Sequence, residues 1–377
     1  MKNIELAELI PSHIAVLREI HRQGSATRVD LAESTGLSPQ SLTRLTKELL
    51  NKGLIVEGER RQKQRGQPAI FLSIKPSKLI SIGLVIEHDA ITCTAKELGG
   101  EQLVFLKKQG NFEQAAFAIE QVNLMLNAVI AQCPDDAYGL GIGVSIPGFF
   151  DKQNEVWRLI CWLDTEGWKQ VNLDTFLDAS ATFPVYIEND GRSAAIGQAV
   201  EGVGRNVGSF FQLLMTKGIG GGFVKQGKLL RGSNGNAGEF GFFSTNSDPE
   251  TIQYYQPTTE CLDHYLQEKW GKPLATADLN KALHEQEPHL QHWLNRAVSH
   301  IEPGLNAIIA LLDPQAIILA GRLPLVIRQE LSKRVRLSGV TYGQYRAPLP
   351  QIIVAPEQDS LILGASTLPV ARYFYAE

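Results

Sequence analysis

The residues best suited to chemistry in this 377-residue chain lie between Tyr186 and Gly241. Glu188-Asn189-Asp190 closes an apolar, β-type run that begins at Tyr186, and a helix-compatible segment follows over 192–200. A carboxylate at the end of a buried strand, just ahead of a helix, stands where open α/β sheets bind ligands. A second apolar run, 210–216, breaks into Lys217-Gly218-Ile219-Gly220-Gly221-Gly222 and resumes as Phe223-Val224-Lys225. Such glycines allow close backbone approach, and successive exposed N–H groups attract anions. The plain alternative is a tight hairpin punctuated by turn glycines. Asn234-Gly235-Asn236-Ala237-Gly238-Glu239 then adds a further carboxylate. Carboxylates with a carboxamide suit vicinal hydroxyls. A carboxylate in hydrogen-bond reach of a hydroxyl is also what proton abstraction needs. Asp190 therefore fits either the binding or the deprotonation of a hydroxylated ligand.

A second set of polar and basic residues lies near the N-terminus. Residues 10–22 carry Ile10, Ile14, Leu17 and Ile20 at a helical period, and Gly24 stops them. Thr27, with Asp30 three residues on, starts a second helix as a capping box, and Gly36 ends it. Ser38 as N-cap and Pro39 at the first helical position open a third. It runs to about Asn51, with Leu42, Leu45, Leu49 and Leu50 inward and Gln40, Ser41, Thr43, Arg44 and Lys47 outward. Two helices across a tight glycine turn predict a helix-turn-helix, with Ser38 and the outward residues of the second helix directed at the major groove. Strands over 54–56 and 69–74 flank the basic stretch 59–68, so Arg61, Arg65, Gly66 and Gln67 form a wing for phosphates or the minor groove. A helical protein-interaction module with a solvated charged loop is the plain alternative.

These two sets need scaffolds. The length predicts two or three domains, and 44% hydrophobic with 20% charged residues supports substantial cores. A linker over 75–78 precedes strands over 79–86, 90–97 and 103–107 and a helix over about 113–132. A strand over 139–144 feeds the turn Ser145-Ile146-Pro147-Gly148-Phe149-Phe150-Asp151, and 184–187 leads to Asp190. Helices follow over about 258–269 and 288–312, then a buried strand over 316–319, a strand over 352–354 and a final helix. The pattern suits a two-lobed α/β fold with a cleft. The expected domains are 1–75, 79–187 and 188–359, with the C-terminal helix over about 360–377 packing back on the first lobe.

Composition narrows the partners. Met1-Lys2-Asn3-Ile4-Glu5 has no basic segment leading into an apolar core, so no signal peptide is expected. No apolar run approaches the roughly 20 residues of a membrane helix, which points to a cytoplasmic protein without a membrane partner. Cys93, Cys133, Cys161 and Cys261 are too dispersed for a disulfide framework or a zinc spacing. His289 and His292 lack a third ligand nearby, so no metal and no cofactor is expected. The net charge of −4 hides an asymmetry. Residues 1–75 hold 12 Lys+Arg against 8 Asp+Glu, or +4, which leaves 24 against 32, or −8, for the remainder. A basic module on an acidic body points to a polyanion partner for the module alone.

The ordered set of motifs resembles the ROK family (repressors, open reading frames and kinases), in its repressor branch, over essentially the whole chain. The matching residues are the winged segment with Arg65-Gly66-Gln67-Pro68, Ser145-Ile146-Pro147-Gly148, Glu188-Asn189-Asp190 with Ser193-Ala194-Ala195, Gly218-Ile219-Gly220-Gly221-Gly222, Ala237-Gly238-Glu239, Leu319-Ala320-Gly321 and Leu363-Gly364-Ala365. The resemblance implies an N-terminal winged helix-turn-helix followed by a two-lobed, actin-like sugar-kinase fold. It implies that Pro147, Gly148, Asn189, Asp190 and Glu239 line a sugar site, with Asp190 at the kinases' general-base position and Gly218, Gly220, Gly221 and Gly222 a phosphate-loop remnant. Kinase members carry an Asp and a Gly-Gly-Thr loop on the first hairpin. Here that hairpin reads Ser81-Ile82-Gly83-Leu84-Val85-Ile86-Glu87-His88-Asp89, with bulky apolar residues expected in the phosphate approach. Phosphoryl transfer depends on positioning and charge stabilisation, so no kinase activity is expected. The family's zinc site is unmatched: its His aligns near Phe242, its cysteine cluster is missing, and Asp263 in Cys261-Leu262-Asp263 is a shortened stand-in for a sugar-contacting Glu. The expectation is a sugar-responsive regulator, most simply a repressor of a carbohydrate-utilisation operon, that binds a double-stranded DNA operator as a homodimer or homotetramer. The alternatives are an ATP-dependent sugar kinase fused to a DNA-binding domain, and a regulator that has lost sugar sensing and answers a protein partner.

Overall fold

The computed structural model describes all residues except 62–68, 161–162, 164, 174, 244–253, 272–274, 340, 358 and 376–377. The chain forms two compact units. One comprises Met1–Gly148, Val156–Glu188 and Ala365–Glu377; the other comprises Phe149–Glu155 and Asn189–Gly364.

The first unit begins inside its own sheet. Strand β1 (Lys2–Asn3) pairs in parallel with Tyr138 and Gly139, and the Asn3 side chain donates to the Thr182 carbonyl at 2.7 Å. The first residues therefore belong to this sheet rather than to the module expected over 1–75, because the ladder satisfies backbone groups that a loose end would leave to water. Helices α1 (Pro11–Gln23), α2 (Arg28–Thr35) and α3 (Pro39–Asn51) follow. Strands β2 (Ala26–Thr27), β3 (Ile55–Arg61) and β4 (Ala69–Ile74) form a sheet ordered β2-β4-β3.

The helix starts obey local chemistry. Thr27 Oγ1 accepts from the Asp30 N–H at 3.2 Å, and Asp30 Oδ2 accepts from the Thr27 N–H at 3.0 Å. Gly36 turns the chain at φ +70°, a region glycine enters without steric cost. Val16, Leu17, Ile20, Leu31, Leu42, Leu45 and Leu49 are fully buried. The inward place expected for Leu50 belongs to Thr46, which is fully buried while Leu50 is half-buried. Thr46 can sit there because its Oγ1 accepts from Arg28 Nε at 2.9 Å and donates to the Leu42 carbonyl at 2.8 Å.

Strands β5 (Leu79–Ile86), β6 (Ala90–Glu97) and β7 (Gln102–Gln109) are antiparallel neighbours, and β8 (Tyr138–Ile146) runs parallel to β5. Helix α4 (Ala115–Gln132) joins β7 to β8. Short strands β9 (Gly148–Asp151) and β10 (Val156–Leu159) and one helical turn, α5 (Glu166–Lys169), precede β11 (Val185–Asn189), which pairs with β8. Every residue of β5 and β6 is buried, as a hairpin covered on both faces must be. Ile80, Ile82, Leu84 and Ile86 share one core with Val122, Leu126 and Val129 of α4. The C-terminal helix (Ser360–Tyr375) covers the other face: a Cβ at Gly143 would meet the Ala365 carbonyl at 2.0 Å, and one at Gly83 the Ser366 nitrogen at 2.6 Å. Leu84 and Ile86 are therefore core residues and Val85 is 2% exposed.

In the second unit, helix α6 (Asp190–Val200) leads to β12 (Ser209–Met215), β13 (Ile219–Lys225) and β14 (Lys228–Leu229). Helices α7 (Thr259–Trp270), α8 (Thr276–His284) and α9 (Pro288–Leu312) precede β15 (Ala316–Gly321). Helix α10 (Leu325–Arg334), an exposed hairpin of β16 (Thr341–Tyr342) and β17 (Tyr345–Arg346), and β18 (Gln351–Val354) complete it. The main sheet is ordered β14-β13-β12-β15-β18. Phe211, Leu213, Met215, Ile317 and Leu319 pack with Trp293, Leu294, Ile301 and Leu305 of α9 in the second core. Among the described residues, no helix is long and apolar enough to cross a membrane.

Candidate ligand site and nucleic-acid interface

The polar cluster forms around the start of α6. The helix begins at Asp190, two residues before the segment expected to be helical. Asn189 caps it: its Oδ1 accepts from the Arg192 N–H at 3.2 Å. Asp190 Oδ1 accepts from the Gly191 N–H at 2.7 Å, and the helix dipole favours a carboxylate in this first turn. Nearly all of α6 is buried, which its small residues Gly191, Ser193, Ala194, Ala195 and Gly197 permit. The exception in size is Arg192, fully buried, whose Nη1 donates to Glu239 Oε1 at 3.0 Å, with the Glu239 side chain 30% exposed. Arg192 thus ties Glu239, 47 residues away, to the helix that carries Asn189 and Asp190. The sequence reading missed this arginine. Its signal was a lone long cation in the run Gly191-Arg192-Ser193-Ala194-Ala195.

The glycines do not form a loop. Gly220, Gly221 and Gly222 lie within β13, in register with Leu214, Leu213 and Gln212 of β12, and the turn is Thr216-Lys217-Gly218. The reading of 217–222 as a break is corrected, since Ile219 to Gly222 continue the ladder with β12. The role of these glycines is close packing. A Cβ at Gly222 would lie 2.7 Å from the Ala195 Cβ, one at Gly221 2.5 Å from the Phe211 ring, and one at Gly220 3.4 Å from the Gly191 Cα. Gly238, at φ +100°, would press a Cβ to 2.7 Å from the Gly221 carbonyl. The strand is thus bare enough for the start of α6, with Asp190, and for the segment carrying Glu239 to lie directly against it.

The remaining proposed ligand residues lie elsewhere. Pro147 and Gly148 follow β8 in the first unit. The Pro147 carbonyl accepts from the Ile160 N–H at 3.0 Å, and a Cβ at Gly148 would meet the Arg158 carbonyl at 2.4 Å, so the position admits only glycine. Asp263 is exposed on α7, Phe242 is 82% exposed, and a Cβ at Gly218 would meet nothing within 4 Å. Among the described residues, no group of three His, Cys, Asp or Glu side chains is placed to hold a metal ion.

At the N-terminus, α3 presents Gln40, Thr43, Arg44 and Lys47 outward, with Ser41 half-buried. Ser38 is the N-cap, its Oγ accepting from the Ser41 N–H at 3.2 Å. Arg44 Nη1 lies 3.1 Å from Glu48 Oε1, and the other oxygen of Glu48 is 2.8 Å from His13 Nε2 of α1, so this basic side chain is braced from the helix behind. Arg61 is the last residue of β3, paired with Ala69; Arg65, Gly66 and Gln67 lie outside the described residues. The module is tied to the sheet beside it by the Lys52 ammonium on the Ala7 carbonyl at 2.8 Å and by His21 Nδ1, 3.0 Å from the Tyr375 hydroxyl of the C-terminal helix.

Comparison with known proteins agrees with both halves of this description. The profile described as "ROK family" matches residues 88–369, and the one described as "MarR family" matches residues 8–66. The chain is 26% identical over 378 residues to the xylose repressor of Bacillus subtilis, covering 95% of this chain and 94% of that protein. It is 27% identical over 343 residues to the xylose repressor of Bacillus spizizenii, covering 85% and 86%. Among solved structures it resembles a ROK family transcriptional regulator, a homologue of the Escherichia coli MLC protein, with a TM-score of 0.65, 20% identity and 96% of each chain covered.

Proposed function

The chain belongs to the ROK family, and from that premise we propose that it is a sugar-responsive, DNA-binding transcriptional regulator, a repressor of carbohydrate-utilisation genes. The observation that carries this reading is the end-to-end similarity to a xylose repressor, which spans the winged module and the ROK domain in the same order. In this reading α3 enters the major groove with Gln40, Ser41, Thr43 and Arg44, while Lys47 and the wing residues Arg61, Arg65, Gly66 and Gln67 meet phosphates or the minor groove. Asn189, Asp190 and Glu239 take sugar hydroxyls, with Asp263 as a further contact. Glu239 is held in place by the buried Arg192, so its carboxylate is oriented before the sugar arrives. The operator's paired half-sites call for a homodimer or a higher even oligomer. Sugar lowers operator affinity only if it binds the two states of the regulator unequally.

The test is fluorescence anisotropy of the full-length protein on labelled DNA from upstream of its own gene, with D-xylose and N-acetylglucosamine as probes. We expect one of the two sugars to release the DNA, Arg44→Ala to weaken DNA binding, and Asp190→Ala to bind DNA but ignore the sugar. A normal sugar response in Asp190→Ala sinks the site assignment. A Mg-ATP-dependent kinase is the second reading, favoured by Asp190 at the start of α6. Stoichiometric release of ADP with either sugar would establish it over the non-catalytic one.

A further inference from the structure

A cavity of about 230 Å³ opens beside Glu239 in the second unit, on the α9 side of the sheet. Its walls are Phe211 of β12, Phe223 of β13, Phe240 and Phe243, with Ala307 and Leu311 of α9 opposite. The aromatic walls are mutually braced: Phe211 and Phe240 have ring centroids 5.8 Å apart, and Phe240 and Phe243 are stacked at 6.3 Å. Gly304 of α9 leaves room for this, since a Cβ there would meet the Phe240 ring at 2.6 Å. The cavity is open to solvent on one side, where Leu311 is 80% exposed; a closed cavity of about 150 Å³ accepts benzene, so a pocket of this volume has room for a substituted ring. Its lining is apolar except for Glu239, which also forms the ion pair with Arg192. Sugar hydroxyls gain nothing against such walls, because a buried hydroxyl without a partner is costly.

We propose that the cavity is a subsite for an apolar substituent, so that an aryl glycoside is bound more tightly than the free sugar or its methyl glycoside. The inference rests on the reading of Glu239 as a sugar contact. The sugar ring meets Glu239 and the residues around Asp190; the substituent fills the space between Phe240, Phe243 and α9. Titration calorimetry on the full-length protein with D-xylose, methyl xyloside and phenyl xyloside tests it, alongside the same series on N-acetylglucosamine. The phenyl glycoside should bind at least tenfold more tightly than the methyl glycoside. Ala307→Phe, which fills the cavity, should abolish that advantage and leave the affinity for the methyl glycoside unchanged. Ile308→Phe, from the same wall, provides the same reading should the first variant fail to fold. Equal binding of phenyl and methyl glycosides overturns the inference and leaves the sugar reading intact. A phenyl advantage that survives the filled cavity also overturns it, by placing the ring elsewhere. Binding of no sugar or glycoside overturns both.

Discussion

The hairpins β5–β6 and β12–β13 hold the same place in two sheets of one topology. In each sheet the hairpin is antiparallel, the next strand in the chain flanks its second strand (β7 on β6, β14 on β13), and the strand after that lies parallel to its first: β8 along β5, β15 along β12. Their surfaces have diverged. The first is solid, with every side chain buried, alternately in the α4 core and under the C-terminal helix. The second gives up side chains at Gly220, Gly221 and Gly222 so that α6 and the segment around Glu239 can touch its backbone. A glycine within a strand costs roughly 0.5–1 kcal/mol relative to alanine, and three in succession are tolerated here because the helix they admit carries Asn189, Asp190 and the Arg192–Glu239 pair. One topology thus serves as a rigid floor in one unit and as a platform for polar groups in the other.

The largest effect should come from the floor. In Gly143→Ala the added Cβ meets a backbone carbonyl at 2.0 Å, which no rotamer relieves, so a loss of about 4 kcal/mol or more is expected. Urea unfolding measures it; a loss under about 1 kcal/mol would show that the C-terminal helix does not clamp this sheet. Arg192→Met comes next. It removes a charge-assisted hydrogen bond from a fully buried cation to a partly exposed carboxylate, worth about 1.5–3 kcal/mol, and should weaken sugar binding further than stability alone explains. Wild-type sugar affinity in that variant would mean that Glu239 needs no brace. Gly222→Ala faces a side-chain neighbour, the Ala195 Cβ at 2.7 Å, which can shift, so about 1–3 kcal/mol is expected. Gly222→Ala costing as much as Gly143→Ala would erase the contrast between platform and floor.

Much of the scaffold was legible from residues whose roles are local. The capping pairs Thr27/Asp30 and Ser38/Ser41 act over three residues; the run over 79–86 matches β5 because a nearly unbroken apolar stretch marks a strand buried on both faces, and 90–97 matches β6 because Ile91, Cys93 and Ala95 alternate with Thr92, Thr94 and Lys96. What sequence could not show depends on distant partners. The glycine run has no side-chain period, so it read as a loop until the ladder with β12 placed it in a strand. Helix α10 went unforeseen because its buried face includes Arg328, which donates to the Leu323 carbonyl at 2.8 Å and the Ala355 carbonyl at 2.5 Å; a cation in the core breaks the apolar pattern. For the candidate site, Asn189 and Asp190 were legible as polar residues at a strand end, and Glu239 as a carboxylate closing a glycine-rich turn. The brace from Arg192 was not, since the pair spans 47 positions.

The smallest effect offers the most direct look at how tightly the first hairpin is sealed. Cys93 lies on β6 with no exposed surface, and burial, reinforced by the nearby Cys133, pushes its thiol from an ordinary 9.0 up to about 12. In the unfolded chain the thiol ionises near its ordinary value; in the native protein it stays protonated to higher pH. Stability from this group is therefore complete below about pH 9 and lost as pH rises from there towards 12, since the unfolded state sheds its proton first. Between pH 8 and 10 the loss should be about 1.4 kcal/mol, and Cys93→Val should remove it, as an apolar group of similar size has nothing to ionise. Native protein at pH 8 should also leave Cys93 unmodified by iodoacetamide until denaturant is added, because only the thiolate reacts. Rapid labelling of Cys93 in the folded protein, or an alkaline slope no shallower in Cys93→Val than in the parent, would mean that the first hairpin opens as readily as a platform does and that the two halves differ in sequence but not in rigidity; burial also raises the Cys133 and Cys261 thiols, so part of the slope remains in either case.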